Sequence, residues 1–229
     1  MGKSNLQYCM ILIAFGLILM TGGCNLQATP APLDPELVDQ SFITDQPCKA
    51  PCWYGLKLDQ SSESEVLKKL NELPFVDPTK IQISKNESYL DYSNITKIDF
   101  NCVVPKGKRC GSIFTADGVV KYIGLSIQYP LSLKSVVDKL GPPDYFTRDF
   151  MTPHGQGCMV SFNWTQKKIS LGSEDPDSER VCQGLEITAA NDPDLQITDV
   201  AYGSMVIDPS NVCTIYPSEC TPWAGFLNK

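Results

Sequence analysis

The chain has 229 residues, a formal charge of −7 and 42% apolar residues. That length and apolar content suit one globular domain, or two small intimate ones, beside any leader. The negative balance repels phosphate backbones, so nucleic acid is not an expected partner, and no run of Lys or Arg offers a basic membrane-binding patch.

The N-terminus has the three parts of an export signal. Lys3 is its positive start, Cys9 to Met20 its apolar core, and Thr21-Gly22-Gly23 the small residues before Cys24. A spanning helix needs about 20 apolar residues, and this core is shorter, which disfavours a transmembrane anchor. Met20-Thr21-Gly22-Gly23-Cys24 resembles the lipobox of bacterial lipoproteins, in which the cysteine is acylated and becomes the first residue. The resemblance implies a lipoprotein signal peptide over residues 1–23, a palmitate-type lipid on Cys24, and attachment to the extracytoplasmic face of the cell membrane. Thr21 departs from the motif, which most often has Leu at that place, so ordinary cleavage with release of the chain stays open. Residues 24–44 carry Pro30, Pro32 and Pro35 in a polar run, which predicts a flexible tether. The ordered body is expected from about Asp45.

Two short amphipathic helices follow at a fixed offset. Ser62-Glu63-Ser64-Glu65-Val66-Leu67-Lys68-Lys69-Leu70 aligns without a gap on Ser132-Leu133-Lys134-Ser135-Val136-Val137-Asp138-Lys139-Leu140. Ser62 with Glu65 forms a capping box, and Ser132 is an equivalent cap without the acidic partner. Val66, Leu70 and Leu73 fall on one buried stripe. Gly141 suits the left-handed position after the second helix, and Pro142-Pro143 stop it.

Each helix is followed by alternating or apolar runs that read as strands. After the first come Lys80–Ser84, Thr96–Val103, Gly111–Thr115 and Val119–Ile127, the last two joined through Asp117-Gly118, a hairpin signal. After the second come Met159–Trp164, Lys168–Leu171, Leu185–Thr188 and Ile197–Tyr202. The pattern predicts an α+β fold, an antiparallel sheet with short helices on one face, stabilised by disulfides. Its tandem halves would be 45–127 and 128–229, the second including a C-terminal tail.

Ser132 to Asp144, ending Leu140-Gly141-Pro142-Pro143-Asp144, loosely resembles the helix-to-strand segment of the small outer-membrane-assembly lipoproteins and of the β-lactamase-inhibitor-like fold. Pro51-Cys52-Trp53-Tyr54-Gly55 resembles a Pro-Cys-Trp-x-Gly motif of uncharacterised bacterial lipoproteins. The shared residues are helix stop, turn and core, so they imply a repeated helix-plus-sheet fold and transfer no functional residue.

With Cys9 lost in the leader and Cys24 lipidated, eight cysteines remain: Cys48, Cys52, Cys102, Cys110, Cys158, Cys182, Cys213 and Cys220. An even number in an exported chain argues for disulfides, and spacing suggests Cys48–Cys52, Cys102–Cys110, Cys158–Cys182 and Cys213–Cys220 among many possible pairings. Zinc sites favour Cys-x2-Cys with histidines, whereas the close pair here is Cys-x3-Cys and His154 is the one histidine. Neither metal nor cofactor is expected.

No nucleophile elbow, zinc-protease motif or phosphate loop is present. His154 sits in the loop Thr152-Pro153-His154-Gly155, and Glu174–Glu179 and Asp192-Pro193-Asp194 read as solvated acidic turns without calcium-loop spacing. Trp53 and Trp164 read as core, and Trp223 as packing for the C-terminal tail. No catalytic residue is assigned. The expectation is a non-enzymatic, membrane-anchored binding module whose partner is an envelope or extracellular protein. The alternatives are an inhibitor or assembly factor, and a secreted hydrolase using paired carboxylates.

Overall fold

A computed structural model describes residues 34–89, 92–104, 108–152, 155–173, 192–203 and 220–226. By its contacts the chain divides into Met1–Pro32 and Leu33–Lys229, and every described residue belongs to the second unit. The leader, Cys24 and His154 lie outside the described residues, as do Cys182, Cys213, the 174–179 turn, the run Leu185–Thr188 and the side chains of Cys158 and Cys220.

The helices are α1 (Ser41–Thr44), α2 (Glu63–Glu72) and α3 (Leu133–Leu140). The strands are β1 (Val76–Tyr89), β2 (Tyr92–Cys102), β3 (Arg109–Ala116), β4 (Val119–Ser126), β5 (Tyr145–Thr152), β6 (Gly155–Trp164), β7 (Ile169–Ser173), β8 (Asp199–Gly203) and β9 (Cys220–Pro222). All nine form one antiparallel sheet in the order β1-β2-β3-β4-β8-β7-β6-β5-β9. The protein is therefore α+β. Each half is a helix followed by a four-stranded meander, and the two meanders join edge to edge where β4 pairs with β8.

The likeness of the halves extends to individual hydrogen bonds. Before α2, Ser61 O accepts from Val120 N at 2.9 Å and Glu63 N donates to Gly118 O at 2.9 Å. Before α3, Leu131 O accepts from Ile197 N at 2.7 Å and Leu133 N donates to Leu195 O at 2.8 Å. In both halves the residue run entering the helix is clipped to the segment at or just before that half's last strand. Two amphipathic helices that merely looked alike would have no reason to share this clip.

Local chemistry explains the element ends. Ser62 Oγ accepts from Glu65 N at 3.3 Å while Glu65 Oε2 accepts from Ser62 N at 2.6 Å, completing the capping box. Ser132 Oγ accepts from Ser135 N at 3.2 Å. Gly141 has φ of 79° but ψ of −179°, so it turns the chain in an extended form and not the expected left-handed one. The following Pro142 disfavours a helical ψ at that residue. The β3–β4 turn has positive φ at both Asp117 and Gly118, as a tight hairpin of this twist requires. Strand β1 lies at the sheet edge, where Pro78 falls in the register break between Asp77 and Gln82.

One face of the sheet holds the core. Val66 and Leu70 of α2, and Val136 and Leu140 of α3, pack in one cluster with Ile98, Phe100, Ile123, Phe162, Leu171 and Val200. Strand alternation places Lys97, Asp99, Ser112, Phe114 and Tyr122 on the opposite face. Trp53 and Trp164 are buried as expected, and Trp223 lies 5.9 Å from Phe162 and 5.4 Å from Phe226, ring to ring.

Residues 34–44, expected as the end of the tether, belong to the body. Val38 and Phe42 are 6% and 3% exposed, and Phe42 lies in the main cluster. That apolar pair outweighs the nearby proline. Strands β5 and β9 were not predicted, because Arg148-Asp149 breaks the apolar pattern of one and the other has only three residues, held by its pairing with Tyr145–Thr147.

Candidate functional site

The site begins in the loop that opens the body. Cys48 and Cys52 are joined, closing a small ring around Lys49-Ala50-Pro51. The next four residues make a tight turn in which Trp53 N donates to Leu56 O at 3.0 Å and Leu56 N to Trp53 O at 2.8 Å. Tyr54 and Gly55 have positive φ there, and Gly55 N donates to Cys48 Sγ at 3.3 Å. The Pro-Cys-Trp-x-Gly run thus has a local physical sense. Cysteine closes the ring, tryptophan anchors it in the core, and glycine supplies the turn conformation.

Asp39 meets this turn from below. Its Oδ2 accepts from Trp53 Nε1 at 2.7 Å, its Oδ1 accepts from Ser41 N at 2.9 Å, and the Tyr54 hydroxyl donates to it. Trp53 also packs ring to ring with Tyr54, Phe75 and Phe100 at 5.4, 6.4 and 5.6 Å. Tyr129 and Tyr202 stand in the same field. The Tyr129 hydroxyl is buried and has no hydrogen-bond partner among the described residues. Burial and the Asp39 charge push the phenols of Tyr54, Tyr129 and Tyr202 well above the ordinary tyrosine range. A phenol held neutral in the folded state binds a proton that the unfolded chain releases above about pH 10. Stability is therefore expected to be unaffected by these groups below that pH and to fall above it. Tyr54→Phe and Tyr129→Phe should each flatten the alkaline limb of a plot of unfolding midpoint against pH, and an unchanged limb would count against this cluster.

Above the disulfide ring opens a cleft of ≈ 830 Å³. Its walls come from four places in the chain: the ring itself with Asp45 and Lys49, the turn of Lys57, Leu58 and Gln60, the end of α3 with Lys139 and Leu140, and the β6–β7 turn with Gln166, Lys167, Lys168 and Ile169. Five lysines thus face one lining carboxylate. Lys139 Nζ lies 2.9 Å from Asp45 Oδ1 and donates to Ile43 O at 2.7 Å. Lys167 donates to Leu140 O at the end of α3, where the helix carbonyls are unpaired. Lys168 is 3.5 Å from Asp59, which pairs more closely with Lys121 at 2.8 Å. These lysines hold the Asp59 carboxyl below the usual carboxylate range, Lys121 first through its hydrogen bond. Lys49 and Lys57 have no carboxylate partner among the described residues.

The acidic composition and the absence of a Lys or Arg run gave no sign of this cleft. Its lysines are spread from 49 to 168 along an acidic chain, and only Lys167-Lys168 are neighbours. No local run advertised them. Of the residues singled out from sequence, the structure pairs Cys48 with Cys52 and Cys102 with Cys110. The Asp192–Asp194 segment is a turn in which Asp192 Oδ1 accepts from Asp194 N at 3.0 Å. Among the described residues no cluster of three or more His, Cys, Asp or Glu is arranged to hold a metal, and no helix is long and apolar enough to cross a membrane.

The fold and the site together define an antiparallel α+β protein, with nine strands among the described residues in two like halves, a disulfide-closed loop and a lysine-lined cleft. Set against protein-family models, curated proteins and solved structures, the chain matches none.

Proposed function

We propose that the protein is a lipid-anchored extracytoplasmic binding module, acting on an envelope or extracellular protein and doing no chemistry of its own. The observation that supports it is the closure of Cys48–Cys52 and Cys102–Cys110. Disulfides persist in oxidising compartments and are rare where thiols are kept reduced. That is the compartment to which the run ending in Cys24 would send the chain. Intact-mass analysis of the membrane fraction, with and without reductant, tests it. The expected product begins at Cys24, carries a diacylglyceryl group and gains eight hydrogens on reduction. Free thiols among the other cysteines, or an unmodified Cys24, would sink the reading.

The inhibitor or assembly-factor reading is favoured by a different observation, the two helix-plus-meander halves joined through β4 and β8. A repeated helix-plus-sheet body is what the resemblance of Ser132–Asp144 would lead one to expect of such a factor, and this supports the reading. Pull-down from envelope and secreted fractions separates the two readings. Capture of one enzyme with loss of its activity supports inhibition, and capture without that loss supports a binding module.

A further inference from the structure

We propose that the lysine-lined cleft is a binding site for a small organic phosphate. The proposal concerns the cleft alone and does not depend on the lipid anchor.

Charge selects the sign of the ligand. Five lysines and one carboxylate line the cavity, on a chain whose net charge is −7. Some of that charge is already used. Lys139 is tied to Asp45, Lys168 reaches toward Asp59, and Lys167 caps α3. Lys49 and Lys57 are both exposed and remain for a ligand.

Residue type narrows the chemistry. Every cation in the lining is lysine and none is arginine. Lysine acts as a compact point charge and commonly binds phosphate. Several point charges around one cavity fit a dianionic group better than a single carboxylate. Shape supplies the rest. Leu58, Leu140 and Ile169 give the wall an apolar part, and ≈ 830 Å³ is within the range of about 300–1,000 Å³ for small-molecule sites. The ligand therefore has a phosphate head and an organic body.

The disulfide ring has a part in this site. Lys49 lies inside the ring closed by Cys48 and Cys52, and Gly55 N bonds back to Cys48 Sγ. The ring limits the positions that the Lys49 backbone can take, which lowers the ordering cost of binding.

Calorimetric titration of the full chain tests the proposal, using glucose 1-phosphate and monomeric dihexanoyl phosphatidic acid at fixed ionic strength. The expected result is saturable one-to-one binding of at least one probe, weakened when salt is raised. The variant Lys49→Glu with Lys57→Glu is expected to bind about tenfold or more weakly, because two favourable charges become repulsive. Lys134→Glu, on the exposed side of α3 and outside the cleft, makes a charge change of the same kind and should leave affinity unchanged. Tighter binding of the phosphatidate assigns a lipid headgroup, and tighter binding of the sugar phosphate assigns a soluble ligand. Failure of both probes to saturate at millimolar concentration overturns the proposal. So does equal weakening by Lys134→Glu, since that would be bulk charge, and so does unchanged affinity in the cleft variant with its circular dichroism intact.

Discussion

Trp53→Ala is expected to lower the free energy of unfolding by about 3–5 kcal/mol. The side chain is fully buried and fills the space between Tyr54, Phe75 and Phe100. Truncation leaves a cavity whose walls are rings on a strand and a turn, and these cannot close over it. It also takes from Asp39 the Nε1 donor at 2.7 Å. The cost of that bond can be read separately. Trp53→Phe keeps most of the apolar volume and loses the donor, and should cost about 1–3 kcal/mol, the penalty of leaving a part-buried acceptor under-satisfied. Urea unfolding at neutral pH measures both, with the slope unchanged if the folded state keeps its extent. A Trp53→Ala change below about 1 kcal/mol, the range of ordinary surface substitutions and their neighbours, would mean that the ring does not anchor the turn.

Gly203→Ala is the second large effect, at about 2–4 kcal/mol from backbone strain and overpacking together. Gly203 has a φ of +86°, and a Cβ built there would stand 2.3 Å from the Lys121 carbonyl oxygen and 3.1 Å from Leu58 Cδ2. The side chain of Leu58 can shift, but the carbonyl belongs to strand β4, whose ladder to β8 holds it in place. Gly118→Ala is the control. Its φ is +77°, yet nothing lies within 4 Å of the built Cβ, so only conformational strain applies and the cost should be about 1 kcal/mol. Thermal unfolding of the two variants side by side separates close approach from φ alone. Equal shifts would show that the β4–β8 junction is looser than described.

The Gly203 position also marks how the halves communicate with the cleft. Its N–H donates to Lys168 O at 2.9 Å, which ties the turn carrying Lys167 and Lys168 to the end of β8. Asp59 adds a second tie by pairing with Lys121 of β4 and Lys168 of that turn. The carboxyl is shifted down in the folded state, so its contribution is present at neutral pH and is lost as pH falls below the ordinary aspartate range. Asp59 is half exposed, and such pairs contribute about 0.2–1 kcal/mol. These ties orient the β6–β7 turn more than they stabilise the fold.

Much of the fold was legible in the residues because its signals are local. The cap at Ser62 with Glu65, the Asp117-Gly118 hairpin, the alternation through Thr96–Cys102, and the disulfide partners Cys48 with Cys52 and Cys102 with Cys110 all involve residues close in the chain. Backbone geometry over a few residues settles them. The gapless match of the two helix segments also pointed to paired halves, and the clips at Ser61 and Leu131 give that match a structural basis. Where local signals competed, the reading failed. Proline-rich composition hid the Val38 and Phe42 pair, and charged residues hid β5.

What only the tertiary structure decided is the set of encounters between distant segments. Leu125 pairs with Val200, Asp39 meets Trp53, and lysines from the disulfide ring, the Lys57 turn, the end of α3 and the β6–β7 turn face one cavity. Each depends on where whole elements come to rest, through burial of one sheet face and the edge pairing of β4 with β8. Such placement leaves no periodicity in the sequence. An acidic composition could therefore be read directly from the residues, while the basic cleft within it existed only once the two halves were joined.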